Sequence, residues 1–146
     1  MNSHEYLNAR KDLPPLFPVE ITITQEKTPL SGATVALEVI GETSGTLYFP
    51  AGITDENGKA VIKTYGFDGA PAGNYKVTVR KTVVEDVQQV IDAYGDQVDG
   101  PGTEYRTVES VFSYADTTPH ETEITNNKRL LRLTFDVGKA IKERRQ

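Results

Sequence analysis

A two-residue rhythm constrains this chain more than any other feature of its sequence. Val19, Ile21 and Ile23 alternate with Glu20, Thr22 and Thr24. Successive side chains of an extended strand point to opposite faces, so this pattern buries one face and wets the other. The same rhythm runs through Ala33, Val35, Leu37 and Val39, through Tyr75, Val77 and Val79, and through Leu131, Leu133, Phe135 and Val137. Shorter runs at Thr46–Phe49, Lys59–Tyr65 and Glu121–Thr125 carry strand-forming residues between turn signals. About seven to eight short strands spaced in this way predict an all-β fold, an antiparallel two-sheet β-sandwich of Ig-like or prealbumin-like type. At 146 residues the chain has the length of one domain and can bury one core. That core is expected to hold Val19, Ile21, Ile23, Val35, Leu37, Val39, Ile62, Val77, Val79, Leu131, Leu133 and Phe135.

Turn residues set the punctuation. Pro14, Pro15 and Pro18 exclude a helix, so residues 1–18 are expected to form an extended leader or tail. The sandwich is expected over 19–138, followed by a basic C-terminal tail over 139–146. Asp55-Glu56-Asn57-Gly58 predicts a β-hairpin between Ile53-Thr54 and Lys59–Tyr65, because Asx side chains close tight turns and glycine supplies positive φ. Asn126-Asn127 marks a second turn.

The rhythm breaks over residues 82–107. Val84, Val87, Val90, Ile91 and Tyr94 recur at helical spacing, Thr82-Val83-Val84-Glu85 fits a capping box, and Gly95 fits a helix stop. One short helix near 83–94 is therefore expected, inside an insertion, with Val84, Val87, Ile91 and Tyr94 packed on the sandwich. The residues between Lys81 and Arg106 include six acids and no base. Asp92, Asp96 and Asp99 flank a glycine-containing loop and are candidate Ca²⁺ ligands, since that hard ion takes carboxylate oxygens. The alternative is a solvated acidic face, with Glu85 and Asp86 favouring the positive end of the helix dipole.

Three segments together resemble carboxypeptidase-regulatory-like domains. These are Pro29–Leu37, with Gly32-Ala33-Thr34-Val35; Thr54–Ala60, with Thr54-Asp55-Glu56-Asn57-Gly58; and Gly73–Val79, with Gly73-Asn74-Tyr75-Lys76-Val77-Thr78-Val79. Tyr114–Pro119 followed by Leu131–Val137 is similar to the C-terminal half of a bacterial, often lipoprotein-borne subset. The resemblance covers residues 19–81 and 108–137. It implies a transthyretin-like (prealbumin-like) sandwich, an exported accessory or adhesive role, an extracytoplasmic location and no catalytic residues.

Composition removes several functions. A net charge of -5 is the wrong sign for a general nucleic-acid binder. No apolar stretch reaches the length that spans a bilayer, and Met1–Tyr6 has no apolar core of a signal peptide. There is no cysteine, hence no thiolate chemistry or disulfide framework. The two histidines, His4 and His120, do not form the paired-histidine signature of a transthyretin-like hydrolase. A sandwich dioxygenase would need His4 held rigidly beside His120 and two tyrosines. No serine sits in a Gly-x-Ser-x-Gly setting. Gly52 to Gly58-Lys59 is one residue too long for a phosphate loop, and Ala60 replaces the metal-binding hydroxyl. Asp55-x-Asn57-Gly58 begins like a calcium loop but runs straight into a strand. Lys27 and Asn127 are conceivable partners for an isopeptide cross-link by strand position.

Among the aromatic residues, Phe49, Tyr75 and Phe135 occupy core-like positions. Tyr48, Tyr65 and Phe67 are the candidates for an exposed partner surface. The expected function is a non-enzymatic extracytoplasmic module with a structural, adhesion or accessory role, meeting a protein or a cell-surface glycan and needing no cofactor. The alternative is a binding domain for carbohydrate, peptide or Ca²⁺ through the acidic 82–107 insertion and the loop aromatics.

Overall fold

The computed structural model describes residues 13–41 and 48–145. The protein is all-β, with two facing sheets and a projecting ribbon. The strands in chain order are β1 (Val19–Gln25), β2 (Thr28–Pro29), β3 (Thr34–Val39), β4 (Ala51–Ile53), β5 (Lys59–Val61), β6 (Lys63–Thr64), β7 (Phe67–Asp68), β8 (Gly73–Arg80), β9 (Thr82–Glu85), β10 (Gln89–Ile91), β11 (Gln97–Asp99), β12 (Thr103–Arg106), β13 (Glu121–Ile124), β14 (Leu131–Asp136) and β15 (Glu143–Arg144), with a single 3₁₀ turn at Ser110–Phe112.

The first sheet has β1 at its centre, with β14 on one side and β2 and β5 on the other. The second runs β13-β8-β3-β4-β6-β7 and is antiparallel throughout. The expected antiparallel sandwich holds with one difference: β1 and β14 pair in parallel, from Val19↔Leu131 to Thr24↔Asp136. Alternation puts Val19, Ile21 and Ile23 of β1 against Val35 and Leu37 of β3 and Tyr75, Val77 and Val79 of β8 in one buried cluster. Val39, Leu131, Leu133 and Phe135 pack against its margin. Every expected core residue is therefore in or on the core, which also holds Phe17, Leu30, Ala33, Ala60, Ala70, Val108, Ile124 and Val137.

Phe17 extends the core beyond the strand pattern. Its N–H donates to the Ala70 carbonyl at 2.9 Å and its own carbonyl accepts from Ala70 at 3.0 Å, so the proline-rich approach is tied to the sandwich from that residue on. Residues 1–12 of the expected leader, with His4, lie outside the described residues, as do Thr46 and Leu47 of the Thr46–Phe49 segment. Tyr48 and Phe49 are in no strand. Phe49 is 69% exposed, which corrects its expected core position.

The Asp55–Gly58 turn forms as its residues dictate. The Asp55 carboxylate accepts from the N–H groups of Asn57 (2.8 Å) and Lys59 (3.0 Å), and Gly58 donates to the Asp55 carbonyl. These backbone donors hold the Asp55 carboxyl below its usual range. Gly58 has φ +76, and a Cβ there would lie 2.6 Å from the Ile23 carbonyl oxygen. Only glycine fits. The expected β-hairpin forms only in part, however: within Lys59–Tyr65, β6 pairs back with β4 at Ala51↔Lys63, whereas β5, directly after the turn, pairs with β1 in the other sheet. The turn is a crossing between sheets. The Asn126-Asn127 segment does the same, linking β13 on β8 to β14 on β1.

The expected helix over 83–94 does not exist. Residues 82–106 form a two-stranded ribbon, β9 with β12 and then β10 with β11. Between β9 and β10 the chain kinks at Asp86, where φ is +60. That kink shifts the phase of two ordinary alternations, and the sum mimics helical spacing. The β-branched content (Val83, Val84, Val87, Val90, Ile91) favours the extended form. Thr82 and Glu85 pair with Arg106 and Thr103 instead of capping a helix. Val84, Val87, Ile91 and Tyr94 are exposed rather than packed on the sandwich. The segment expected as a basic C-terminal tail is likewise partly ordered, since Glu143–Arg144 forms β15 on the outer edge of β12.

Candidate functional site

The ribbon is the most distinctive feature of the surface. It leaves the sandwich as a continuation of β8: Lys81 separates β8 from β9, and its carbonyl accepts from the Thr107 N–H at 3.1 Å. At the base, β9, β12 and β15 make a three-stranded sheet. Its sides are tied by charge. Lys142 pairs with Glu85 and lies over the Tyr105 ring at 4.6 Å, Arg145 pairs with Glu104 at 3.0 Å, and the Tyr105 hydroxyl donates to Asp86 at 3.1 Å. The Glu85 carboxylate holds the Lys142 ammonium above its usual range.

Beyond the Asp86 kink, β10 and β11 pair only with each other among the described residues, so each presents one open edge there. Val90 faces Val98 across the pair. The tip turn is closed by Asp92, whose carboxylate accepts from the N–H groups of Tyr94 (2.8 Å) and Asp96 (2.9 Å). Ile91 is 66% exposed and Tyr94 91%. Ile91 and Tyr94 thus leave apolar surface in solvent at the tip.

The three candidate calcium ligands lie along this ribbon but do not converge. Asp92 serves the turn backbone, and Asp99 takes a hydrogen bond from the Gln89 amide. Among the described residues no three acidic or histidine side chains gather into a cation site.

The candidate aromatic surface is partly assembled. Tyr48 and Tyr65 meet edge to face with ring centroids 6.0 Å apart. Tyr65 is exposed at the β6–β7 turn, while Phe67 is half-buried in β7. Lys27 and Asn127 are at opposite ends of the β1–β14 pair. Lys27 follows β1 and donates its N–H to Asp136, whereas Asn127 precedes Leu131, the partner of Val19. A strand length of roughly 17 Å at 3.3 Å per residue separates them, which rules out the cross-link.

Comparison with known proteins gives only remote likenesses. No protein-family model matches the chain. No curated protein matches it in sequence. The crystal structure of BcpA, the major pilin subunit of Bacillus cereus, is similar over 86% of this chain and 31% of that one, with 16% identity and a TM-score of 0.42. A 9R-lipoxygenase from Cyanothece PCC8801 is similar over 90% of this chain and 19% of that one, with 14% identity and a TM-score of 0.36. This chain thus spans under a third of the BcpA chain. The carboxypeptidase-regulatory-like resemblance finds no matching family model, and the β-sandwich itself rests on the strands described above.

Sequence reasoning missed two groupings. His120 stacks between Phe112 (5.5 Å) and Phe135 (4.8 Å), with its Nε2 2.8 Å from the Asp136 carbonyl oxygen. The neighbouring Asp136 carboxyl is held below its usual range, chiefly by the Thr24 hydroxyl. At the ribbon base, Arg80, Lys81, Arg106 and Arg145 line one small cavity. No local motif announces either, because each is assembled by strand register from distant segments.

Proposed function

We propose that the chain is a non-enzymatic β-sandwich module with a structural or adhesive role outside the cytoplasm, and that the ribbon is the arm that holds its partner. The observation that carries this reading is the exposed apolar ribbon, set against a core that is closed. The open edges of β10 and β11 offer unpaired backbone donors and acceptors, the template for adding another strand. Asp96, Asp99 and Glu104 make the ribbon acidic. The partner in this reading is an extended apolar protein segment with basic flanks. The extracytoplasmic placement follows the exported character of the domains that the sequence motifs resemble.

The test is an NMR titration with a synthetic peptide alternating valine and lysine. Shift changes confined to residues 84–99, saturable and weakened by salt, are expected. Ile91→Asp should abolish them without moving the melting midpoint, because that side chain is exposed. Absence of binding at millimolar peptide, or shifts centred on the sandwich, would overturn the reading.

A further inference from the structure

We infer that the cleft at the base of the ribbon is an oxyanion site, built for a phosphate or sulfate group. It is independent of the apolar tip and can succeed or fail separately. The chain carries a net charge of -5, yet here it concentrates cations. Strand register brings them together: Arg106 at the end of β12 lies opposite Thr82 on one side and Glu143 on the other, Arg144 lies opposite Tyr105, Arg80 ends β8 and Lys81 follows it. Arg80, Lys81, Arg106 and Arg145 line a cavity of about 50 Å³ beside Tyr114. Arg106, Tyr114 and Arg145 also border an adjoining cleft of about 550 Å³ with Glu143 and Arg144.

The anchoring of these groups separates structural from available charge. Arg80 donates Nε to the Ser113 carbonyl at 2.9 Å and sits over the Tyr114 ring at 5.4 Å, which fixes its plane and leaves its terminal nitrogens free to donate. Arg145 spends one terminal nitrogen on Glu104. Among the described residues, no hydrogen bond or ion pair engages the side chains of Lys81, Arg106 or Arg144. Like charges held this close repel one another, and an anion between them relieves that repulsion. Guanidinium forks match the oxygen spacing of phosphate and sulfate, and a pre-oriented fork loses less freedom on binding. The smaller cavity has the size of one tetrahedral group. The adjoining cleft has room for whatever carries that group, so the ligand is either a free inorganic anion or a polar ester.

The experiment records amide shifts of the full chain during titration with sodium phosphate at constant ionic strength set by sodium chloride. It is repeated with glucose 6-phosphate. Arg106→Gln/Arg144→Gln is the control, because neither side chain makes a hydrogen bond or ion pair among the described residues and the fold should persist. Saturable shifts at Arg80–Thr82, Arg106 and Arg144–Arg145, weakened at least tenfold in the double variant, support the site. Tighter binding of the sugar phosphate assigns an ester ligand, and equal binding assigns the free anion. Linear, unsaturated shifts shared by the variant overturn the proposal. So do cleft shifts that follow protein concentration rather than phosphate, which would place carboxylates of a second copy there instead.

Discussion

Two valine pairs separate the sandwich from the ribbon. Val35 and Val79 face each other across β3 and β8, and both are 0% exposed. Val90 and Val98 face each other across β10 and β11 in the same manner, yet are 43% and 39% exposed. Residue type, pairing and strand geometry match. What differs is the second layer: β1 packs against the first pair in the core, and no strand among the described residues packs over the second. Burial is therefore set by sheet stacking, and an alternating sequence specifies a face without specifying what covers it.

Substitutions can break this comparison. Leu37→Ala, in the sealed core, should lower stability by about 2–5 kcal/mol. Ile91→Ala on the ribbon should change it by no more than about 0.5 kcal/mol. Urea unfolding monitored by circular dichroism measures both, and similar losses would mean that the ribbon is packed in solution. Next in size is the crossing between sheets. Gly58→Ala should destabilise by about 1–3 kcal/mol, from strain at positive φ and contact with the Ile23 carbonyl. The smallest effect is electrostatic. Hydrogen bonds from Lys59 and Asn57 depress the Asp55 carboxyl, so their contribution is fully present above the unfolded carboxyl's pKa and is lost as pH falls through the lower folded value. The stability gap between the native chain and Asp55→Asn should stay constant from about pH 7 to about pH 5 and then drift, in acid, in the direction that costs the native chain. A gap independent of pH would mean that the carboxylate gains nothing from the turn.

The sandwich was legible where strands bury one face. β1, β3, β8 and β14 declare themselves by alternation alone, and their inward residues form the core. Pairing was not legible. The Asp55–Gly58 turn looks like a simple hairpin because its chemistry is that of a tight turn, and local chemistry cannot say that β5, directly after it, joins the other sheet before β6 returns to β4. The ribbon was misread because the kink at Asp86 offsets two alternations, so that Val84, Val87, Ile91 and Tyr94 fall at helical intervals. The acids were visible as a charge run. The basic cleft was hidden, since Arg80, Arg106 and Arg145 are separated in sequence and meet only through the register of β9, β12 and β15.

The parallel pairing of β1 with β14 has a mechanical consequence. The strand nearest the start of the domain and a strand near its end run side by side in the same direction, so tension applied through the two ends pulls β1 and β14 in opposite directions along their length. The hydrogen bonds between them then carry the load together, in shear, instead of opening one after another like a zipper. In that direction the load falls on six register pairs at once, from Val19↔Leu131 to Thr24↔Asp136.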